Sequence, residues 1–349
     1  MKVLYVDIAI TGHHIPYFSA LVSNENYESV LVLPQKVESV KSKQYECNVQ
    51  LNGKLSFSTY LNWLKEIHNI VEKEKPDVIH FLTGDIMYRF FGFGLFLFRK
   101  QKTVLTLHRI KEGFLGRIST KIISKNASCI VLHSEYMKRY VEGLSANNIT
   151  HIEYPVFNID FCDKRMAQDY FSLKKDVPVI GCIGGTRYDK GLDILLEALN
   201  SVEKPFQLLV AGKAEYFDEV YIKEHIKGYK ENVCLYLKFL SDEELKFAIN
   251  AIDIVVLPYR KMFNGASGPL GEGVILGKCI IGPNHGNLRD TIEKNHLGYT
   301  FESENIVKLA ETINRSLTSN FSLDDNYQQY KEQLNVSSFL QKYEDVYKA

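Results

Sequence analysis

Short apolar runs alternate with amphipathic stretches along the whole chain. In the first half, Val3–Ile8, Ser29–Pro34, Asp77–Leu82, Thr103–His108, Cys129–Ser134 and His151–Val156 read as strands, each a brief apolar run closed by polar or turn residues. Cys47–Leu51 is a further short strand candidate. Between them, Ile15–Val22, Tyr60–Glu74, Tyr88–Arg99, Leu115–Lys125 and Glu135–Glu142 carry apolar residues at helical spacing. Residues 157–177 lose the rhythm, and then it restarts. Val179–Gly184, Phe206–Ala211, Val233–Phe239, Ile254–Pro258, Cys279–Gly282 and Tyr299–Phe301 predict strands, with helices over Leu192–Asn200, Asp218–Lys227, Asp242–Ala251, Pro269–Leu276, Leu288–Glu293 and Asn305–Leu317.

Strands alternating with helices of this length imply parallel βαβ units. The expected fold is therefore α/β, with two Rossmann-like doubly wound domains in tandem: 1–160, a linker over 161–177, and 178–336. Near the end, Phe339, Tyr343, Val346 and Tyr347 form an apolar stripe on a helix, and 337–349 is expected to pack back on the first domain. Ligands of such sheets bind beyond the carboxyl ends of the strands, so the expected site lies in a cleft across which the two domains face each other.

Composition narrows this picture. The 349 residues leave room for two cores, and 42 Lys and Arg against 42 Asp and Glu argue against bulk nucleic-acid binding. The six cysteines are scattered, without a C-x-x-C pair, which points to reduced, buried thiols in a cytoplasmic protein. The N-terminal apolar run is too short for a signal peptide, and the apolar Phe90–Phe98 falls far below the roughly 20 residues of a membrane span.

One stretch departs from neutrality. Between positions 99 and 139 there are ten Lys and Arg (99, 100, 102, 109, 111, 117, 121, 125, 138, 139) against Glu112 and Glu135. The phenylalanine-rich Tyr88–Phe98 immediately precedes it. Apolar and basic residues side by side suit a peripheral contact through 88–125 with the inner face of the cytoplasmic membrane. A helix buried against the sheet, with a solvated basic face, explains the same pattern.

Candidate chemistry concentrates in two loops. Asn264-Gly265-Ala266-Ser267-Gly268-Pro269-Leu270-Gly271-Glu272 runs from a strand into a helix start, with Ser267 suited to the N-cap and Pro269 to the first turn. Free backbone N–H groups and the positive helix end make such a loop an anion site, and Glu272 lies about one turn in. The second loop is Gly184-Gly185-Thr186-Arg187-Tyr188-Asp189-Lys190-Gly191. Its Arg187 offers a planar fork and its Lys190 a point charge, a pair suited to a diphosphate; a solvated basic turn is the plain alternative. No D-x-D triplet and no ligand-like histidine spacing occurs, so neither a metal nor a cofactor is expected.

Several motifs in order carry a resemblance. Gly184-x-x-Arg187-x-x-Lys190-Gly191-Leu192-Asp193, Val210-Ala211-Gly212, Phe239-Leu240-Ser241-Asp242-Glu243-Glu244-Leu245, Asp253 to Tyr259, Ser267-Gly268-Pro269-Leu270-x-Glu272 and Gly277-Lys278-x-Ile280-Ile281 resemble the second domain of family 4 retaining glycosyltransferases of GT-B architecture, the glycosyl transferases group 1. The resemblance implies transfer of a hexosyl unit from a nucleotide-diphosphate sugar to a glycan or lipid-linked glycan, in surface polysaccharide or glycoconjugate synthesis. It gives the diphosphate to Arg187, Lys190, Gly12, Gly268, Pro269 and Leu270. It gives the donor sugar, ribose and base to Gly265, Ala266, Ser267, Glu272 and Leu240. The family has a second glutamate eight positions before Glu272, where this chain has Asn264. An amide still bonds a sugar hydroxyl but cannot stabilise positive charge as a carboxylate can; the alternative is a plain turn residue.

In the first domain, Thr11-Gly12-His13-His14 resembles the family's glycine-containing loop, and Thr106-x-His108 its strand-end histidine. His108, Asn264 and Glu272 are thus the catalytic candidates, with His13, His14 and Arg109 toward the acceptor. A histidine pair in a turn and a strand-end histidine bonded to backbone are the structural alternatives. A nucleotide-sugar epimerase shares the expected architecture, and a catalytically silent scaffold of a glycan-assembly complex fits the missing carboxylate. Donor, acceptor, linkage and oligomeric state are not encoded in these motifs.

Overall fold

A computed structural model describes residues 1–12, 14–47, 55–144, 148–157, 159–263 and 265–349. Two compact units divide it: residues 1–154 with 336–349, and residues 155–335.

The first unit contains β1 (Lys2–Val6), α1 (His14–Val22), β2 (Glu28–Leu33), β3 (Lys43–Glu46), α2 (Phe57–Glu74), β4 (Val78–Phe81), β5 (Lys102–Leu107), α3 (Phe114–Asn126), β6 (Cys129–Leu132), α4 (Glu135–Glu142) and β7 (Ile149–His151). Its described strands form one parallel sheet in the order β3-β2-β1-β4-β5-β6-β7. The inner strands β2, β1, β4, β5 and β6 are buried on both faces over most of their length, which is why they read as continuous apolar runs rather than alternating ones.

The second unit contains α5 (Lys164–Tyr170), β8 (Val179–Ile183), α6 (Leu192–Leu199), β9 (Gln207–Ala211), α7 (Glu219–His225), β10 (Val233–Tyr236), α8 (Asp242–Ala251), β11 (Ile254–Val256), α9 (Gly268–Ile275), β12 (Cys279–Pro283), α10 (Gly286–Lys294), β13 (Gly298–Phe301), α11 (Ile306–Thr318) and α12 (Asp325–Gln333). Its sheet is parallel too, in the order β10-β9-β8-β11-β12-β13. Both faces of this sheet carry an apolar core. The six cysteines are free.

Strand order reverses at β1/β4 in the first unit and at β8/β11 in the second. The loops leaving these strands diverge, so each switch point leaves a crevice at the carboxyl end of the sheet. Both chemistry-bearing loops of the second unit, after β8 and after β11, leave its switch point.

Four elements differ from their sequence reading. Tyr88–Arg99 is not one helix: it forms 3-10 turns over Gly84–Phe90 and Leu95–Phe98, separated by Gly92 at φ +65° and Gly94 at φ +92°. At Gly94 a Cβ would stand 2.3 Å from the Leu64 side chain, so the break comes with close packing on α2. The stretch read as a linker, 161–177, carries α5, which is capped by Asp163 and packs on α8 within the second unit. The strand expected over His151–Val156 lies earlier, at β7. The strand near Cys47 is β3, ending at Glu46, and the remainder of that candidate falls outside the described residues.

The last helix, α13 (Val336–Lys348), belongs to the first unit. It buries Phe339, Tyr343, Val346 and Tyr347. Its hydroxyls join a buried chain of hydrogen bonds: Tyr347 to His80 Nδ1 (2.7 Å), His80 Nε2 to Thr106 (2.8 Å), Thr106 to Tyr343 (2.8 Å), Tyr343 to Tyr17 (2.6 Å) and Tyr17 to His133 Nε2 (2.9 Å). His133 Nδ1 lies 2.7 Å from the Ile152 carbonyl, which can only accept. That end fixes the direction: each group donates toward His133, and both imidazoles are neutral. Burial, with His108 nearby, pushes His80 down to about 3 and His133 well below its ordinary value.

Candidate functional site

In the second unit, three backbone segments converge. β8 ends at Ile183 and the chain turns through Gly184 at φ +108°, a conformation open to glycine. A Cβ there would stand 2.7 Å from Lys190 Nζ and 4.0 Å from Pro269 Cγ, so the turn, the lysine and the start of α9 share one small space. Gly191, at φ +63°, returns the chain into α6; a Cβ on it would meet the Pro258 carbonyl at 2.1 Å. The loop after β8 is thereby pressed against the loop after β11.

The Lys190 ammonium lies 5.6 Å from the centre of the Tyr259 ring, and that ammonium forms no hydrogen bond or ion pair among the described residues. Burial is the main influence on it and lowers its proton affinity; Cys182, Asp189 and Glu272 act in the opposite sense. Arg187 is engaged. Its Nε and a terminal nitrogen meet the Asp189 carboxylate at 2.9 and 2.6 Å, and that pairing raises the affinity of Arg187 for its proton. The two cations read together from the sequence thus differ: Lys190 is half-buried and open, and Arg187 is exposed and clamped.

Glu272 lies one turn into α9. Its Oε2 is buried without a hydrogen-bond partner among the described residues, and Oε1 lies 3.2 Å from where a Cβ on Gly268 would be. Burial pushes this carboxyl up to about 7, with Lys190 pulling the other way. An orphaned carboxylate oxygen is a feature native structures normally avoid, and it marks a place for donors such as sugar hydroxyls. Ser267 holds the N-cap position but makes no side-chain cap; its hydroxyl lies 3.3 Å from the buried Tyr259 hydroxyl instead. The first N–H groups of α9 are consequently not consumed by a capping side chain.

Gly265, Ala266, Ser267, Gly268, Pro269 and Leu270 follow one another into this helix start, and Leu270 packs into the core beneath. Leu240, in the loop after β10, rests against that same apolar cluster, beside the highly exposed Phe239. Asn264 lies outside the described residues. Among the described residues no group of three or more His, Cys, Asp or Glu is placed to hold a metal ion.

In the first unit, the loops after β1 and β4 leave the switch point, and the loop after β5 lies beside them. Asp7 is buried and accepts from the Ile8 N–H (2.7 Å) and the Thr83 hydroxyl (2.8 Å), with His14 Nδ1 at 2.9 Å. His108 Nε2 donates to the Leu82 carbonyl at 2.8 Å. The backbone N–H groups of His108 and Arg109 reach the Asp85 carboxylate at 2.8 and 3.0 Å. Burial raises Asp85 above the ordinary carboxylate range, against those hydrogen bonds and the His108 ring. Gly12, at φ +58°, has open space where a Cβ would be, and His13 lies outside the described residues.

Sequence reasoning passed over Asp189, Tyr259 and Asp85. Asp189 was visible between the two cations, and only the fold reveals that it clamps one of them. Tyr259 closes an apolar run and looks like core. Asp85 lies in the segment read as flanking a helix, and a carboxylate held by two backbone N–H groups has no signature in spacing.

Fold and site together define an α/β protein of two Rossmann-like units with an anion-suited crevice in the second. Solved structures share that fold over the whole chain. A glycosyltransferase from Rickettsia africae ESF-5 matches with a TM-score of 0.79 at 18% identity, covering 99% of this chain and 97% of that one. Anabaena HepE in complex with UDP-glucose matches at 0.73 and 16%, covering 99% of each. The fold is that of the GT-B glycosyltransferases. Residues 164–334, nearly all of the second unit, match the family described as glycosyl transferases group 1. The glycogen synthase of Moorella thermoacetica is 27% identical over 244 residues, 60% of this chain; the chain spans 48% of the length of that relative.

Proposed function

We propose that the protein is a retaining glycosyltransferase that moves a hexosyl unit from a nucleotide-diphosphate sugar to a glycan or lipid-linked glycan, without a metal. The observation that carries this reading is the pairing of an unengaged Lys190 ammonium with the orphaned Glu272 oxygen across the start of α9. An anion and a hydroxyl-bearing group, joined within one ligand, satisfy both. A nucleoside diphosphate has that composition, and HepE was solved with UDP and with UDP-glucose.

Lys190, the N–H groups of α9 and Arg187, once released from Asp189, would stabilise the departing diphosphate. Glu272 would accept from the ribose, and the Gly265–Ser267 backbone with Asn264 would bond the sugar. The bond from the anomeric carbon to the phosphate oxygen breaks, the acceptor oxygen attacks the same face, and its proton passes to the leaving phosphate. No carboxylate nucleophile is needed. The family resemblance assigns His108 to the transferred sugar, Gly12 to the phosphate, and His13, His14 and Arg109 to the acceptor.

Lys190→Ala is the test. Loss of transfer, with a folded chain by circular dichroism and unchanged activity of the wild type in EDTA, supports the reading. Wild-type turnover in the variant would refute the phosphate assignment. NMR of the products separates transfer from epimerisation, and calorimetry without any nucleotide binding would favour a scaffold.

A further inference from the structure

Helix α3 is inside out. The side it turns to the protein carries Ser119, Thr120, Ile123 and Ser124. Those hydroxyls are satisfied by carbonyls: Ser119 by Tyr88, Thr120 by Gly116 and Ser124 by Lys121. The opposite side shows Phe114 at 76%, Leu115 at 65% and Ile122 at 38% exposure, interleaved with exposed Arg117, Lys121 and Lys125. Large apolar side chains scattered singly over a surface call for no explanation; here they are gathered on one helix whose buried face is polar.

The surroundings extend the pattern. α3 rests on the two 3-10 turns of 84–98, where Phe57, Phe93 and Phe96 are about half exposed and their rings lie 5.5 and 5.8 Å apart. At the far end of α3, a cavity of about 310 Å3 is lined by Arg99, Gln101, Lys125, Asn126 and Ser128. Its two charged lining residues are cations. The stretch 99–139 holds ten Lys and Arg against two Glu within a chain of equal opposite charges. The partner of this face must therefore be apolar within and negatively charged at its surface.

We infer that α3 docks this unit on an anionic lipid bilayer. Phe114, Leu115 and Ile122 enter the headgroup–acyl boundary. Arg117, Lys121 and Lys125 sit at headgroup level, and the Arg99–Lys125 cavity takes a lipid phosphate. The inference stands apart from the donor assignment, because lipid binding requires none of the residues around Lys190.

Flotation of the full chain with vesicles tests it, comparing pure phosphatidylcholine with mixtures containing one-third phosphatidylglycerol. The wild type is expected to float with the anionic vesicles at least tenfold more tightly than with the neutral ones, and to be released by salt. Phe114→Ser with Leu115→Ser should lose at least tenfold on the anionic vesicles. Arg99→Gln with Lys125→Gln should lose about fivefold per charge. All four side chains are exposed, so the variants are expected to fold. Equal binding to both vesicles, no binding, or either double variant floating like the wild type overturns the inference. So does a dimer, seen by light scattering, that Phe114→Ser with Leu115→Ser dissolves.

Discussion

Replacing Glu272 by Gln should make the protein more stable while it loses its ligand. The carboxyl stands at about 7, against an ordinary value near 4.5 in the unfolded chain. Between those values the folded state binds more protons than the unfolded one, so stability falls as pH rises through the window and levels off above it. Holding the carboxylate charged at pH 8 costs about 3 kcal/mol; near pH 5 the penalty is below about 1 kcal/mol. Gln mimics the neutral acid in size and charge, so it escapes the penalty. Melting of the variant at pH 8 should rise by roughly 5–10 °C. That advantage should shrink on acidification to pH 5. Calorimetry should meanwhile show nucleoside diphosphate affinity reduced tenfold or more, because under the proposed assignment a charged acceptor for ribose hydroxyls is gone. A variant no more stable than the wild type at pH 8, or an advantage independent of pH, would refute the buried-charge argument. Unaltered affinity would refute the ribose assignment.

Three further changes probe neighbouring features. Gly184→Ala puts a methyl 2.7 Å from Lys190 Nζ at a φ of +108°, so nucleotide affinity should drop at least tenfold in calorimetry, with about 1–3 kcal/mol lost in urea denaturation. Asp189→Asn releases Arg187 from its clamp and should tighten diphosphate binding a few-fold, because the exposed ion pair it removes is worth at most about 1 kcal/mol. Tyr343→Phe interrupts the buried chain between Thr106 and Tyr17 and should destabilise the first unit by about 1–3 kcal/mol, read by chemical denaturation.

Much of this architecture was legible in the residue pattern because parallel strands buried on both faces are unbroken apolar runs. Glu135–Glu142 and Asp242–Ala251 have the same bounds in the sequence reading and in the structure. Both have a serine just before them that accepts a hydrogen bond from the helix's first turn. Tyr88–Arg99 misled because phenylalanine spacing says nothing about φ, and Gly92 and Gly94 decide the backbone there. α5 hid because it is only seven residues long and breaks the strand–helix alternation; Ala167 within it and Phe171 just after it reach the core through tertiary packing. At the candidate site, Arg187, Lys190 and Glu272 could be named from spacing. Which cation is open and which carboxylate oxygen is unsatisfied depends on side-chain neighbours, and spacing does not encode those.

The placement of α13 bears on the birth of the chain. A ribosome finishes residues 1–154 long before it reaches 336–348, and the intervening segment of about 180 residues takes on the order of 10–40 s to synthesise. Throughout that interval Tyr17, Thr106 and His80 lack the hydroxyls that later satisfy them. The nascent first unit must wait half-made, a natural client for chaperones. Any message truncated before the codons for 336–348 would yield a chain with an intact second unit and a permanently unfinished first one, and proteases would find it by those exposed groups. The closing helix thus acts as a proofreading stamp, applied only to chains translated through it.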